Sequence, residues 1–175
     1  MTARNISRLA RLLIHKLSNI LRRLLRRHEA FAQLREELAF LDDYLSIERV
    51  RFGDKLQIVK EVDESALDAL VPSMLLQPIV ENCIRHGLGP KVEGGTIQIR
   101  SFREDGRVRI EVRDNGVGIP AEKMEEIYEE GIGISNVNER MKVLYGSDYT
   151  FRIQSRPGEG TQVEIQLPEL QKSEE

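Results

Sequence analysis

The chain has 175 residues, 40% of them hydrophobic and 31% charged, with a formal net charge of −3, which allows one sizeable core and some helical attachments. Its single cysteine, Cys83, excludes an internal disulfide, no Cys/His cluster has zinc spacing and no run of 18 apolar residues occurs, so a soluble protein of a reducing, cytoplasmic compartment is expected. Residues 1–28 hold eight Lys/Arg and no Asp/Glu, leaving 18 basic against 29 acidic residues in the remainder. Such a block suits a nucleic-acid or membrane contact but is also how a solvated helix face reads, and no nucleic-acid partner is expected.

Along the chain, Ile6, Ala10, Leu13, Leu17, Ile20 and Leu24 recur at alternating spacings of four and three, a heptad seam that predicts a helix pairing with another helix. Leu9, Leu12, Leu21 and Leu25 broaden the seam, so a two-stranded coil, a four-helix dimer and a helix folded back on its own domain all fit. A second amphipathic helix is expected from Glu29 to about Arg51, with Phe31, Leu34, Leu38, Leu41 and Leu45 on one stripe and Gly53 ending it. Leu56 to Val62 reads as a strand, and a further helix is expected to open near Pro72 and close at Gly87.

Gly94-Gly95 leads into a strand from Thr96 to Arg103, which Glu104-Asp105-Gly106 turns back into a strand ending at Asp114. In that second strand Val108, Ile110 and Val112 lie on one face and Arg107, Arg109, Glu111 and Arg113 on the other, and Asp114 continues the apolar face. A carboxylate aimed at a core requires a donor, from protein or ligand. A helix from about Ser135 to Tyr145 and strands Tyr149 to Ser155 and Thr161 to Leu167 complete the set. Each strand has a single apolar face, which predicts a sheet covered on one side, an α+β fold of the two-layer α/β sandwich type.

Four clusters carry chemistry. Glu81, Asn82, Arg85 and His86 form one polar stripe opposite Leu75, Ile79 and Cys83, combining an acid, a carboxamide oxygen and two potential cations, equipment for Mg²⁺ and phosphate. Cys83 itself reads as a small core residue. Asp114-Asn115-Gly116-Val117-Gly118-Ile119-Pro120 follows a strand with a flexible turn. Gly116-x-Gly118-x-x-Ala121 formally matches a dinucleotide fingerprint, but a hairpin and not a βαβ crossover precedes it, and there is no G-x-x-x-x-G-K-[ST] run. Gly131-x-Gly133 precedes a helix, where free amides and the helix dipole favour an anion. Gly158-x-Gly160-Thr161 is a turn by itself.

In this order, Glu81-Asn82, Asp114-x-Gly116-x-Gly118, Gly131-x-Gly133 and Gly160-Thr161, the chain resembles the GHKL or Bergerat fold shared by gyrase, Hsp90, histidine kinases and MutL. Leu76-Gln77-Pro78-Ile79-Val80-Glu81-Asn82-Cys83-Ile84-Arg85-His86-Gly87 and Gly131-Ile132-Gly133-Ile134-Ser135-Asn136-Val137 are similar to LytS-type sensor histidine kinases, as are Tyr44-Leu45, Ile47-Glu48 and Arg51-Phe52-Gly53-Asp54. The resemblance covers about residues 17–168. It implies that Asp114 accepts the adenine amino group of ATP, that Gly116 and Gly118 give base and sugar room, and that Thr161 backs the adenine pocket. It further implies that Asn82 holds Mg²⁺ on the triphosphate, that Glu81 orients or helps deprotonate the attacking group, that Arg85 and His86 lie near phosphates, and that Gly131 and Gly133 let lid and helix amides wrap them.

The resemblance divides the chain into a partial dimerisation helix at residues 1–28, a connecting helix at 29–53, the ATP-binding unit at 54–168 and a polar tail at 169–175. It implies transfer of the γ-phosphoryl of ATP to a histidine and relay to a response-regulator receiver domain, in a parent that dimerises through its N-terminal helices and is anchored, where it has one, by an upstream membrane sensor. The family's acceptor motif, of the type Pro-His-Phe-Leu-Phe-Asn, is not found; His15 begins His-x-Leu-x-Asn, but Leu17 to Arg22 resemble the helix that follows the acceptor. Residues 121–130 are short for an ATP lid and hold five Glu against one Lys. The rival reading is a degenerate module of the same fold acting through its basic helix; an ATPase clamp of the gyrase or Hsp90 type lacks the length for a transducer domain.

Overall fold

The computed structural model describes residues 30–124 and 133–170, together with Ile14 and Ser18. Apart from those two positions, the heptad helix expected at residues 1–28 lies outside the described residues, as do His15, Gly131 and most of the lid segment.

Strand β1 (Phe31–Gln33) leads into helix α1 (Leu34–Phe52). Strands β2 (Leu56–Val62) and β3 (Leu70–Pro72) follow, then helix α2 (Leu76–Asn82), which runs on as a π-helical turn, Cys83–Leu88. The hairpin β4 (Gly95–Glu104) and β5 (Arg107–Asp114), helix α3 (Ile134–Tyr145), and strands β6 (Thr150–Arg156) and β7 (Gly160–Pro168) complete the order. The main sheet has the order β2-β4-β5-β7-β6, parallel between β2 and β4 and antiparallel elsewhere.

Strand alternation produces the two layers. Ile97 and Ile99 of β4, Val108, Ile110 and Val112 of β5, and Val163, Ile165 and Leu167 of β7 are buried in one cluster with Leu34, Leu41 and Leu45 of α1, Ile79 and Val80 of α2, and Val137 and Met141 of α3. On the opposite sheet face Arg100 bonds Glu61 at 2.9 Å and Glu111 at 3.4 Å, while Arg109 reaches Glu164 at 3.0 Å. Pairs this open to water contribute about 0–1 kcal/mol each, so this face fixes register and solubility while the apolar face supplies stability. The expected two-layer α/β sandwich is the fold observed. The Asp105-Gly106 turn has positive φ at both residues, 51° and 71°, as a tight hairpin requires.

Three helix boundaries differ from expectation. Residues 31–33, read as the start of a helix from Glu29, are extended because they pair with β3, Phe31 opposite Pro72. The helix begins at Leu34, behind a capping box between Gln33 and Glu36. The apolar stripe of α1 packs into the same core cluster as the sheet. Pro72 ends a strand and does not open a helix. The N-terminus of α2 is instead satisfied across the fold: the Glu37 carboxylate, 1% exposed, accepts the N–H groups of Met74, Leu75 and Leu76 at 2.9, 2.8 and 3.3 Å. Gly87 does not close the helix either, because the π-helical turn carries it to Leu88.

Candidate functional site

A cavity of about 480 Å³ opens between the C-terminal part of α2, the end of β5, the turn after it, the start of α3 and strand β7. Asp114 forms part of its floor. The last residue of β5, it points to the core side, as the alternation dictates, and is 1% exposed. Burial pushes its carboxyl above the usual range; opposing that, the Gly116 N–H donates to Oδ1 at 2.7 Å, and the Cys83 thiol, the Thr161 N–H and the nearby Lys91 charge also favour the anion. Cys83 in turn is pushed well up by burial and by the Asp114 charge, so its thiol stays protonated and donates.

The surrounding glycines are there because no side chain fits. A Cβ on Gly116 would overlap the Gly87 backbone, whose carbonyl accepts the Val117 N–H at 3.0 Å, and one on Gly87 would lie 2.7 Å from Asp114 Oδ1. Gly160 has φ +85°, a conformation side chains disfavour, and a Cβ there would overlap the Asp114 carbonyl oxygen. Gly118 stands likewise against the Arg156 carbonyl. These contacts clamp the turn after β5 onto α2 and onto the start of β7.

Of the expected site residues, Asn82, His86, Asp114, Gly118 and Thr161 line the cavity. Gly133, at the N-terminus of α3, stands beside the Asn82 carboxamide, where a Cβ would come within 3.3 Å of Nδ2. Gly116 acts behind the wall. Glu81 and Arg85 do not line the cavity. Glu81 is half-buried and its charge bears on Tyr44 of α1, while Arg85 is exposed.

Sequence reasoning missed Ile119, Pro120, Lys123, Ile134 and Val163 as lining residues. The sole Lys of residues 121–130, noted only against its five Glu neighbours, reaches the cavity. Ser155 reads from the sequence only as the end of a strand. Its hydroxyl accepts the Ile119 N–H at 2.9 Å, donates to the Gly160 carbonyl at 2.8 Å and shares a 2.9 Å hydrogen bond with Thr161 Oγ1, so it holds the turn against β7. No sequence signal marks it: Gly160 and Thr161 lie five and six residues away across the β6-β7 turn, but Ile119, in the turn that it secures, is 36 residues upstream.

The cavity suits a polar ligand with a flat apolar part: about 480 Å³ lies within the roughly 300–1,000 Å³ of ligand clefts, with Ile79, Ile119, Ile134 and Val163 as walls and convergent polar groups at both ends. A carboxylate has about four acceptor positions, and the three protein donors to Asp114 leave capacity for a donor on the ligand. Among the described residues no three His, Cys, Asp or Glu side chains gather as a metal cage. Mg²⁺ needs none, since it is usually held through one or two protein oxygens together with substrate phosphates and waters. The Asn82 carboxamide oxygen fits that part.

Residues 68–171 match the family described as histidine kinase-, DNA gyrase B-, and HSP90-like ATPase, and residues 1–56 match a histidine kinase family. The sensor histidine kinase YpdA of Escherichia coli (strain K12) is 38% identical over 165 residues, covering 91% of this chain and 28% of that protein. The sensor protein LytS of Bacillus anthracis is 32% identical over 150 residues, 81% of this chain and 26% of that protein. The chain thus spans between about a quarter and a half of the length of the curated relatives it matches. The histidine kinase domain of a blue-light activated histidine kinase from Erythrobacter litoralis superposes with a TM-score of 0.62 at 20% identity, covering 91% of this chain and 74% of that one, and so shares the fold. The chain belongs to the histidine kinase-, DNA gyrase B-, and HSP90-like ATPase family, within which it is a GHKL histidine kinase domain.

Proposed function

We propose that this chain is the ATP-binding catalytic portion of a two-component sensor kinase, presenting the γ-phosphoryl group of ATP to a histidine on an upstream helix of its parent, for relay to a response-regulator aspartate. The observation that carries this reading is Asp114, a buried carboxylate with spare acceptor capacity at the floor of a cavity of nucleotide size. It accepts the exocyclic amino group of adenine, a donor that guanine lacks at the same place. Gly116 and Gly118 keep the wall thin, and Thr161, fixed by Ser155, backs the base.

At the other end the residues serve charge. His86 and Lys123, which line the cavity, serve the triphosphate, Arg85 lies on the neighbouring surface, and the N-terminus of α3 at Gly133 offers its backbone amides to the phosphates. The Asn82 oxygen would hold Mg²⁺ together with the phosphates, and the ion would supply neutralisation of the charge that phosphoryl transfer develops. Glu81 accepts the N–H of the attacking imidazole and orients it. Residues 54–168 form the catalytic unit in this reading, and the parent works as a cytoplasm-facing homodimer joined through its N-terminal helices.

Calorimetry with Mg-ATP tests this. The chain is expected to bind, Asp114→Asn to weaken binding by about 100-fold because the ligand's donor then meets an amide that is itself partly a donor, and the intact parent carrying Asp114→Asn to lose phosphohistidine formation. Absence of heat with the unaltered chain would overturn the reading.

A further inference from the structure

Ser155 lies on β6 with Thr161 directly opposite it on β7. Alternation from Phe151 and Ile153 puts Ser155 on the core side of the sheet, and alternation back from Val163 puts Thr161 on the same side. Both are half-buried, but of the two only Thr161 lines the cavity.

Hydrogen-bonding capacity fixes the direction of each bond in this cluster. A serine hydroxyl has one hydrogen and two lone pairs. The Ile119 N–H, 2.9 Å from Ser155 Oγ, takes one lone pair, and the Gly160 carbonyl, at 2.8 Å, takes the hydrogen, because a carbonyl only accepts. What remains for Thr161 Oγ1, at 2.9 Å, is the second lone pair, so the Thr161 hydroxyl is the donor in that bond. Its hydrogen is thereby committed to Ser155, and Thr161 Oγ1 keeps only lone pairs for anything in the cavity.

The carbonyl that imposes this order is itself held in place. Gly160 has φ +85° and leaves no room for a Cβ against the Asp114 carbonyl, and the peptide that carries its carbonyl gives its N–H, that of Thr161, to the Asp114 carboxylate. Rotating that peptide would break its hydrogen bonds to Asp114 and Ser155 together. Thr161 thus adds a second acceptor at the end of the cavity where Asp114 lies. The exocyclic group of a 6-amino purine brings hydrogens to such a site, whereas a 6-oxo purine brings a further lone pair.

We propose that Ser155 is a positioning residue that fixes the Thr161 hydroxyl as an acceptor towards the ligand, and so biases the cavity towards a 6-amino over a 6-oxo purine. The assignment rests on the nucleotide reading given above and adds to it a residue that sets specificity from outside the cavity.

The test is calorimetry on this chain with the Mg²⁺ complexes of ATP and of inosine triphosphate, its 6-oxo counterpart. The ratio of the two Kd values is expected to narrow about tenfold in Ser155→Ala, with the 6-oxo nucleotide bound more tightly than by wild type, since the Thr161 hydrogen is then released to donate. Ser155→Thr, which keeps the hydroxyl, is expected to keep the wild-type ratio, and Ser155→Ala to narrow it no further in a Thr161→Val background. An unchanged ratio in Ser155→Ala, with both nucleotides weakened equally or not at all, would leave Ser155 a purely structural role and overturn the assignment. Should Ser155→Ala fail to fold, Thr161→Val decides: the assignment requires a narrowed ratio there too, and an unchanged one overturns it. A wild-type chain that binds neither nucleotide would remove the ATP reading, and this assignment with it.

Discussion

At the floor of the cavity Asp114 is 1% exposed, tied to Gly116, Cys83 and Thr161, and packed among glycines that leave no space for a methyl group. At the rim the His86 and Lys123 side chains are exposed, and Asn82 is half-buried. The floor is preformed, with its ordering cost already met in folding, and in the proposed reading recognition there comes from a fixed, buried acceptor. The rim contributes charge in water, where each contact is weaker, screened by salt and replaceable.

The largest effect is expected from closing the space behind the floor. Gly160→Ala puts a Cβ on a residue at φ +85° and into the Asp114 carbonyl, costing on the order of 3 kcal/mol of stability in chemical denaturation together with nucleotide binding. Retained stability with lost binding would mean that β7 shifts locally to accommodate the methyl. Asp114→Asn comes next and separates binding from folding. Its carboxyl is raised by burial, so the folded state holds the proton more tightly than the unfolded chain. Stability from this group is complete below the ordinary carboxylate range, about pH 4, and is lost as pH rises through the raised folded value. The Asn variant is therefore expected to show a flatter dependence of melting temperature on pH above about 4 and no loss of stability at neutrality, while binding falls. A parallel pH profile in both proteins would show that Asp114 is better solvated than its burial suggests.

The floor was also the legible part. Alternation from Val108 to Asp114 identified the buried acid, because strand period is a local property and the charge fell on the wrong face. The hairpin at Asp105-Gly106 and the bounds of β2 followed from equally local rules. Illegible were features whose partners lie far off in sequence. Glu37 caps α2 from nearly forty positions upstream, so Pro72 looked like the nearest available helix opener although it ends a strand. Strand β1, three residues long, is too short to break the helical spacing of Phe31, Leu34 and Leu38, and exists because β3 pairs with it. Likewise Ser155, whose partner Ile119 lies 36 residues upstream, and Lys123, in a run of acids, carry no local mark of the cavity.

At the rim the expected effects are smaller and of a different kind. Asn82→Ala removes one oxygen from Mg²⁺ and is expected to weaken ATP binding about tenfold with the metal present and hardly at all in chelator, as read by calorimetry in both conditions. Lys123→Ala should do least. Its side chain is solvent-exposed at the cavity, in a segment rich in Glu, so its attraction for the proposed phosphates is a screened one, worth about threefold in ATP affinity at low salt and nothing measurable at about 1 M salt, where the Debye length falls to roughly 3 Å. The Asp114→Asn loss, made in a buried site, is expected to persist across the same titration. Should the Lys123 effect survive high salt, the ammonium group must be desolvated when nucleotide binds, and the rim would then close over the phosphates as tightly as the floor holds the base.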